Sequence, residues 1–277
     1  MKQAKLKSVL LTLLLIFIFL SKGYSIGNET PVGAREMAMG NGSVALISPF
    51  AVFNNQSALA YLTKLSIAVD YRQPYLIDDL SERALALVIP LSPATFAIGI
   101  EQIGIQNYHE SRFGLAMAKK FGDKFSAGLQ FNYFMIDFPE QGESRGTLLI
   151  EFGIFYKTKD NLSIGVHIFN PAKSSIESLN MRSEYLFHAN SGIALKPSDH
   201  LILTGEVGYY ADLPVNISMG GEYQFSDRFF LRCGVSGKPI RHSIGLGYRC
   251  NLFGIDFAMI HHQKLGYTPS ISLILKI

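Results

Sequence analysis

Pro214-Val215-Asn216-Ile217-Ser218-Met219-Gly220-Gly221-Glu222-Tyr223-Gln224-Phe225 alternates without a break. Val215, Ile217, Met219, Gly221 and Tyr223 fall on one face, and Asn216, Ser218, Gly220, Glu222 and Gln224 on the other. A period of two belongs to a β-strand and not to a helix. One face is apolar and aromatic, the other small or polar. Repeated along an exported chain, that division marks an all-β fold: a transmembrane antiparallel barrel with lipid outside and a polar lumen inside.

The same rhythm, cut by turn residues, predicts about fourteen strands between residues 64 and 277, each near the ~9–11 residues a tilted strand needs to cross a bilayer. Alternate connections are tight and use Gly, Pro, Asn, Asp and Ser, as in Gly122-Asp123 and Ser226-Asp227. The others are longer, Asn170 to Glu184 being the longest. Short turns on one side and long loops on the other are the habit of outer-membrane barrels, whose even strand number returns both ends to the periplasm. Outward candidates include Phe131, Tyr133, Leu148, Phe152, Ile271 and Leu273. Inward polar candidates are Gln130, Asn132, Glu151, Glu206, Glu222, Arg232 and Asp256, interleaved with glycines such as Gly128, Gly153, Gly220 and Gly234. Small inward residues leave room for something inside, or let strands bend at a tight barrel wall.

The N-terminus sets the compartment. Lys2, Lys5 and Lys7 precede an apolar run from Val9 to Leu20, and Gly23-Tyr24-Ser25 supplies small residues for cleavage. Residues 1–25 therefore read as a signal peptide, too short for the ~20 residues of a helical span. The whole chain is 48% hydrophobic but only 17% charged, against about a quarter charged in a typical soluble domain. A lipid-facing wall accounts for the deficit. The net charge of +3 forms no basic block, so nucleic acid is not a partner. Cys233 and Cys250 would stand roughly 13 Å apart along a hairpin ladder, beyond the ~7 Å a disulfide allows, and are expected free.

Residues 26–62 do not alternate. They hold Gly33-Ala34-Arg35-Glu36-Met37-Ala38-Met39-Gly40-Asn41-Gly42-Ser43-Val44-Ala45-Leu46 and Ala51-Val52-Phe53-Asn54-Asn55-Gln56-Ser57-Ala58-Leu59-Ala60. The second run reads as a turn and a short helix, with Asn54 or Asn55 as N-cap. The segment is expected to enter the lumen of the barrel (63–277) as a plug or hatch, with Gly33, Arg35, Met39, Gly40, Asn41, Asn54, Asn55 and Leu59 as its signature.

These two runs resemble the N-terminal signature of PorV/PorQ-type proteins, members of the broader group of FadL-like outer-membrane barrels found in Bacteroidota and their relatives. The resemblance implies fourteen strands, an N-terminal hatch, and a non-enzymatic role. That role is either that of an accessory to type IX protein secretion, with protein partners at its rim, or uptake of a hydrophobic small molecule. The short chain and compact loops fit the PorQ-like secretion branch better, and secretion is the leading expectation, with transport of a hydrophobic ligand as the alternative. The family's Asn-Pro-Ala is replaced here by Asn55-Gln56-Ser57, which removes a proline preset for the first helical position.

Catalytic and metal-binding arrangements are not expected, nor a cofactor. His261 and His262 are adjacent on a strand and point to opposite faces, as do His242 and Ser243. Gly40-Asn41-Gly42 and Gly245-x-Gly247 lack the strand and helix context of a phosphate loop. Inward charges are read as paired with one another, with the plug or with water.

Overall fold

The computed structural model describes residues 30–104, 108–139, 142–158, 161–178, 181–211, 213–237 and 239–277. The expected signal peptide and residues 26–29 lie outside them. The alternating segments form β1 (Ser66–Arg72), β2 (Glu82–Pro90), β3 (Thr95–Ile103), β4 (His109–Phe121), β5 (Phe125–Phe138), β6 (Glu143–Thr158), β7 (Leu162–Phe169) and β8 (Ser175–Ser178). The second half supplies β9 (Met181–Glu184), β10 (His188–Ser198), β11 (Leu201–Tyr210), β12 (Asn216–Gln224), β13 (Phe229–Ser236), β14 (Arg241–Arg249), β15 (Phe253–His262) and β16 (Gly266–Lys276).

All but β8 and β9 join one closed barrel of fourteen strands, each antiparallel to its neighbours. β16 returns to pair with β1, setting Val69 opposite Leu273. Closure matters because a bilayer offers no water to an unpaired strand edge. The pair β8–β9 is a separate small hairpin within the long connection after β7, a feature the alternation pattern does not announce.

The pleat sorts side chains as the opening stretch implies. Met219 is 59% exposed and Ile217 51%, while their neighbours Ser218 and Glu222 are 2% and 5%. Exposed Leu115, Phe131, Leu148, Ile244 and Ile271 continue the apolar surface around the wall. Soluble proteins rarely show a contiguous apolar patch beyond a few hundred Å², so this exterior is built for lipid. Aromatic rings gather near both strand ends, where membrane interfaces favour them. Phe225, Phe229, Tyr248 and Phe253 form a chain of ring contacts at the short-turn rim, with centroids 5.1–6.0 Å apart; Tyr71, Tyr133, Tyr209 and Tyr267 stand exposed toward the long loops. Cys233 faces outward opposite Ile244, and both cysteines are free.

Thr30 to Leu62 packs against the inner face of this wall. It carries helices α1 (Ala34–Ala38) and α2 (Ala51–Asn54), then a 3-10 helix over Gln56–Tyr61. Among residues 32–59 only Arg35 and Ile47 are not fully buried. Such short helices are unstable alone, so their shape is imposed by the wall. Phe50, Val52, Ala58 and Leu59 pack on inward alanines of β1, β2, β3 and β4, including Ala68, Ala86, Ala97 and Ala118. On the opposite side Met37 and Ala38 meet Ala258 and Ile260.

Candidate functional site

Two wall glycines allow the inner segment to touch backbone. A Cβ on Gly234 would stand 2.5 Å from Gly40 Cα, and one on Gly220 would stand 2.5 Å from the Met39 carbonyl carbon. No side chain fits at either position. The polar contacts are equally local. The Ser243 hydroxyl donates to Ala38 O and accepts from Gly40 N, both at 3.0 Å. Glu206 accepts from Ser43 N at 2.7 Å and Val44 N at 2.9 Å. Ala34 N donates to Ser272 Oγ at 2.7 Å, and the hydroxyls of Ser270 and Ser272 donate to buried Asp70.

The expected residues of the segment take distinct places. Gly33 precedes α1 with φ 111°, a conformation that favours glycine. Arg35 reaches out to the wall and binds Glu222 through two nitrogens, at 2.7 and 2.8 Å. Met39 and Leu59 are wholly buried. Gly40 and Asn41 turn the chain, both with positive φ. Asn54 exchanges two hydrogen bonds with the backbone of Val32, and Asn55 accepts from Ser57 N at the head of the 3-10 helix. Burial raises the pKa of Glu36, which accepts from Ser48 Oγ at 2.6 Å.

Inside the wall the charges form two clusters. Arg232 links Glu222 and Asp256, at 2.6 and 2.8 Å, and Arg249 adds a bidentate contact to Asp256. Arg35 thus joins the inner segment to a chain of alternating charge running toward the short-turn side. The second cluster centres on Glu151. Its carboxylate accepts from Arg112 at 2.5 Å, Asn132 at 2.8 Å and Gln56 at 2.7 Å, and lies 2.9 Å from His167 Nε2. Gln56 explains the departure from Asn-Pro-Ala: its amide reaches a buried carboxylate, which a proline cannot do. Arg112, His167, Asp70 and Ser243 escape sequence reading as partners, although each sits at an inward position of its strand.

Above the inner segment, on the long-loop side, lies a cleft of about 890 Å³ counted with its open mouth. Its floor includes Val32, Asn41, Ser43 and Asn54. One wall is a run of rings: Tyr185, Phe134, Phe169, His188 and Tyr210, with successive centroids 4.7, 5.9, 4.5 and 5.0 Å apart. The other walls carry Glu101, Glu110, Arg112, Asn190 and Asn216. Asn170, with φ 49°, holds the loop bearing Tyr185 by donating to Tyr185 O at 2.6 Å. No group of three potential metal ligands occurs among the described residues. His242 faces His261 across β14 and β15, and His262 accepts at Nδ1 from Lys264 N and Leu265 N.

The closed fourteen-stranded antiparallel barrel has counterparts among solved structures. No family model matches the chain, and no curated protein is similar to it in sequence. Among the solved structures that share the fold are a hydrocarbon channel, a toluene transporter and a FadL homologue. A monoaromatic hydrocarbon channel, CymD, superposes with a TM-score of 0.67 at 13% identity, covering 89% of this chain and 97% of that one. The Pseudomonas putida toluene transporter TodX gives 0.66 at 12%, covering 92% and 99%. A Pseudomonas aeruginosa FadL homologue gives 0.58 at 15%, covering 89% and 96%.

These likenesses correct the leading expectation. The secretion accessory of PorV/PorQ type, with its protein partners and its Bacteroidota origin, is not what the fold neighbours are; they are hydrocarbon channels, transporters and a FadL homologue. The physical reason lies in the motif that suggested secretion. Asn41, Asn55, Leu59 and their neighbours are buried against the barrel wall, so they encode packing and offer no surface to a partner protein.

Proposed function

We propose that this protein is a non-enzymatic channel of the Gram-negative outer membrane, exported by a cleaved signal peptide at 1–25, that admits hydrophobic small molecules. Residues 26–62 act as the plug and the barrel, 63–277, as the lipid-embedded wall. The observation that carries the reading is the aromatic run from Tyr185 to Tyr210 lining a cleft open toward the long loops. A concavity with a ring-lined wall and converging polar groups is a usual form of a small-molecule site, and here the rings face a floor and walls that are largely polar. Toluene is transported by TodX and monoaromatic hydrocarbon by CymD, and the rings of this cleft offer an aromatic compound faces to stack on. The lumen charges Glu151, Glu206, Glu222, Arg232 and Asp256 are structural: each is matched by an inner-segment or wall partner, so none is left to bind a charged solute.

The test is uptake of labelled toluene into cells lacking their own channels, with and without this protein in the outer membrane. Faster entry is expected, and it should fall when Phe134 and Phe169 are both replaced by glutamate. Equal uptake with and without the protein would end the reading.

A further inference from the structure

Asn41 is buried in the floor of the cleft at 3% exposure, yet neither its amide nitrogen nor its amide oxygen has a hydrogen-bond partner. Buried polar groups are nearly always satisfied, and an orphan calls for a cause. Asn41 is not alone: Asn190, Asn216 and Tyr185 line the same cleft, and the Oδ1 of each asparagine and the Tyr185 hydroxyl are also buried without a partner. A site for a pure hydrocarbon has no use for these groups, and would leave them unsatisfied whenever it was full.

We propose that the cleft recognises a neutral aromatic molecule carrying a hydrogen-bonding substituent, such as a phenolic hydroxyl, with Asn41 as the specificity-determining residue. This rests on the reading of the cleft as the entry site. The ring of the ligand lies along Phe134, Phe169 and Tyr210, and its hydroxyl meets Asn41. A carboxamide presents one donor and one acceptor face, which matches a hydroxyl able to give and take. An anion is excluded by charge. Glu101, Glu110 and Glu206 line the cleft, and Arg112, the one arginine or lysine among the lining residues, is already held by Glu101 at 3.6 Å and Glu151 at 2.5 Å. A carboxylate ligand would therefore meet carboxylates without a free counter-ion.

The test compares three probes of one shape: p-cresol, toluene and p-toluate. Binding is measured on the purified full-length protein in detergent. The expected order is p-cresol, then toluene, then p-toluate, with about a tenfold step for the hydroxyl, the worth of one net hydrogen bond. Asn41→Gly keeps the positive φ that a side chain such as alanine would strain. It should abolish the p-cresol advantage, bringing the ratio of p-cresol to toluene binding to about one. Equal binding of p-cresol and toluene by the unaltered protein would overturn the proposal, and so would a variant that loses both equally. The probe comparison on the unaltered protein stands even if the variant fails to fold. Flux of toluene into vesicles separates this inference from the functional reading. Hydroxyl selectivity without flux would sink the channel and leave the recognition intact; flux without selectivity would do the reverse.

Discussion

Gly234→Ala is the sharpest probe of how the inner segment is held. A strand interior favours alanine over glycine by roughly 0.5–1 kcal/mol, so the wall itself should accept the change. The inner segment should not. The added Cβ would stand 2.5 Å from both Gly40 Cα and the Met39 carbonyl carbon, against 3.4–4 Å for ordinary contact. Backbone at α1's exit must retreat by about 1 Å, and overpacking of that kind costs ~1–3 kcal/mol. The retreat also pulls Gly40 N and Ala38 O from Ser243. A loss of 1–2 kcal/mol changes the ratio of docked to undocked segment by a factor of about 5–30. Single-channel recording in planar bilayers should show more frequent open events, and limited proteolysis should cut near residue 40 sooner. Gly221→Ala supplies the control, because Gly221 follows Gly220 on β12, the strand paired with that of Gly234, and faces outward. Its nearest neighbour is Leu203 Cδ2 at 3.5 Å, so it should match the unaltered protein. If Gly234→Ala and Gly221→Ala behaved alike in both assays, the docking argument would be refuted.

Glu151→Ala removes the acceptor shared by Arg112, Asn132 and Gln56 and leaves a buried guanidinium facing Glu101 at 3.6 Å. Breaking a buried pair in this way costs ~3–5 kcal/mol, read as a lower urea midpoint for unfolding from lipid vesicles; a shift under about 1 kcal/mol would contradict it. Gln56→Pro restores the residue usual in the resembled family but deletes the 2.7 Å bond to Glu151. It should destabilise by ~1.5–3 kcal/mol, the range for hydrogen bonds to charged groups, and lose that effect in a Glu151→Gln background, where a thermal-shift cycle would detect the coupling.

The wall was legible because a strand's period is two and one bilayer-facing side admits almost no charge. Ile217, Met219 and Tyr223 against Ser218 and Glu222 set the parity, and every later strand repeats it. The small hairpin β8–β9 was hidden because it belongs to a long connection and stands apart from the barrel sheet. The inner segment's existence was visible as a break in alternation, but its path was not. Ala34 meets Ser272 and Ser43 meets Glu206 across 238 and 163 residues, and no local pattern encodes such pairings. A charge at an inward parity within an otherwise small or apolar strand, as at Asp70 and Arg112, was the available signal for the missed partners. The secretion reading failed on different grounds: a buried motif is shared by whatever proteins share the packing, and it says little about what they carry.

The pairing of β1 with β16 also ties closure of the barrel to the placing of the inner segment. Ser272 on β16 binds both Ala34 of the inner segment and Asp70 of β1. Closing the barrel and fixing the segment therefore share one hydroxyl, in the last strand of the chain. A change that unseats that hydroxyl would therefore loosen the seam and the inner segment together, rather than either alone.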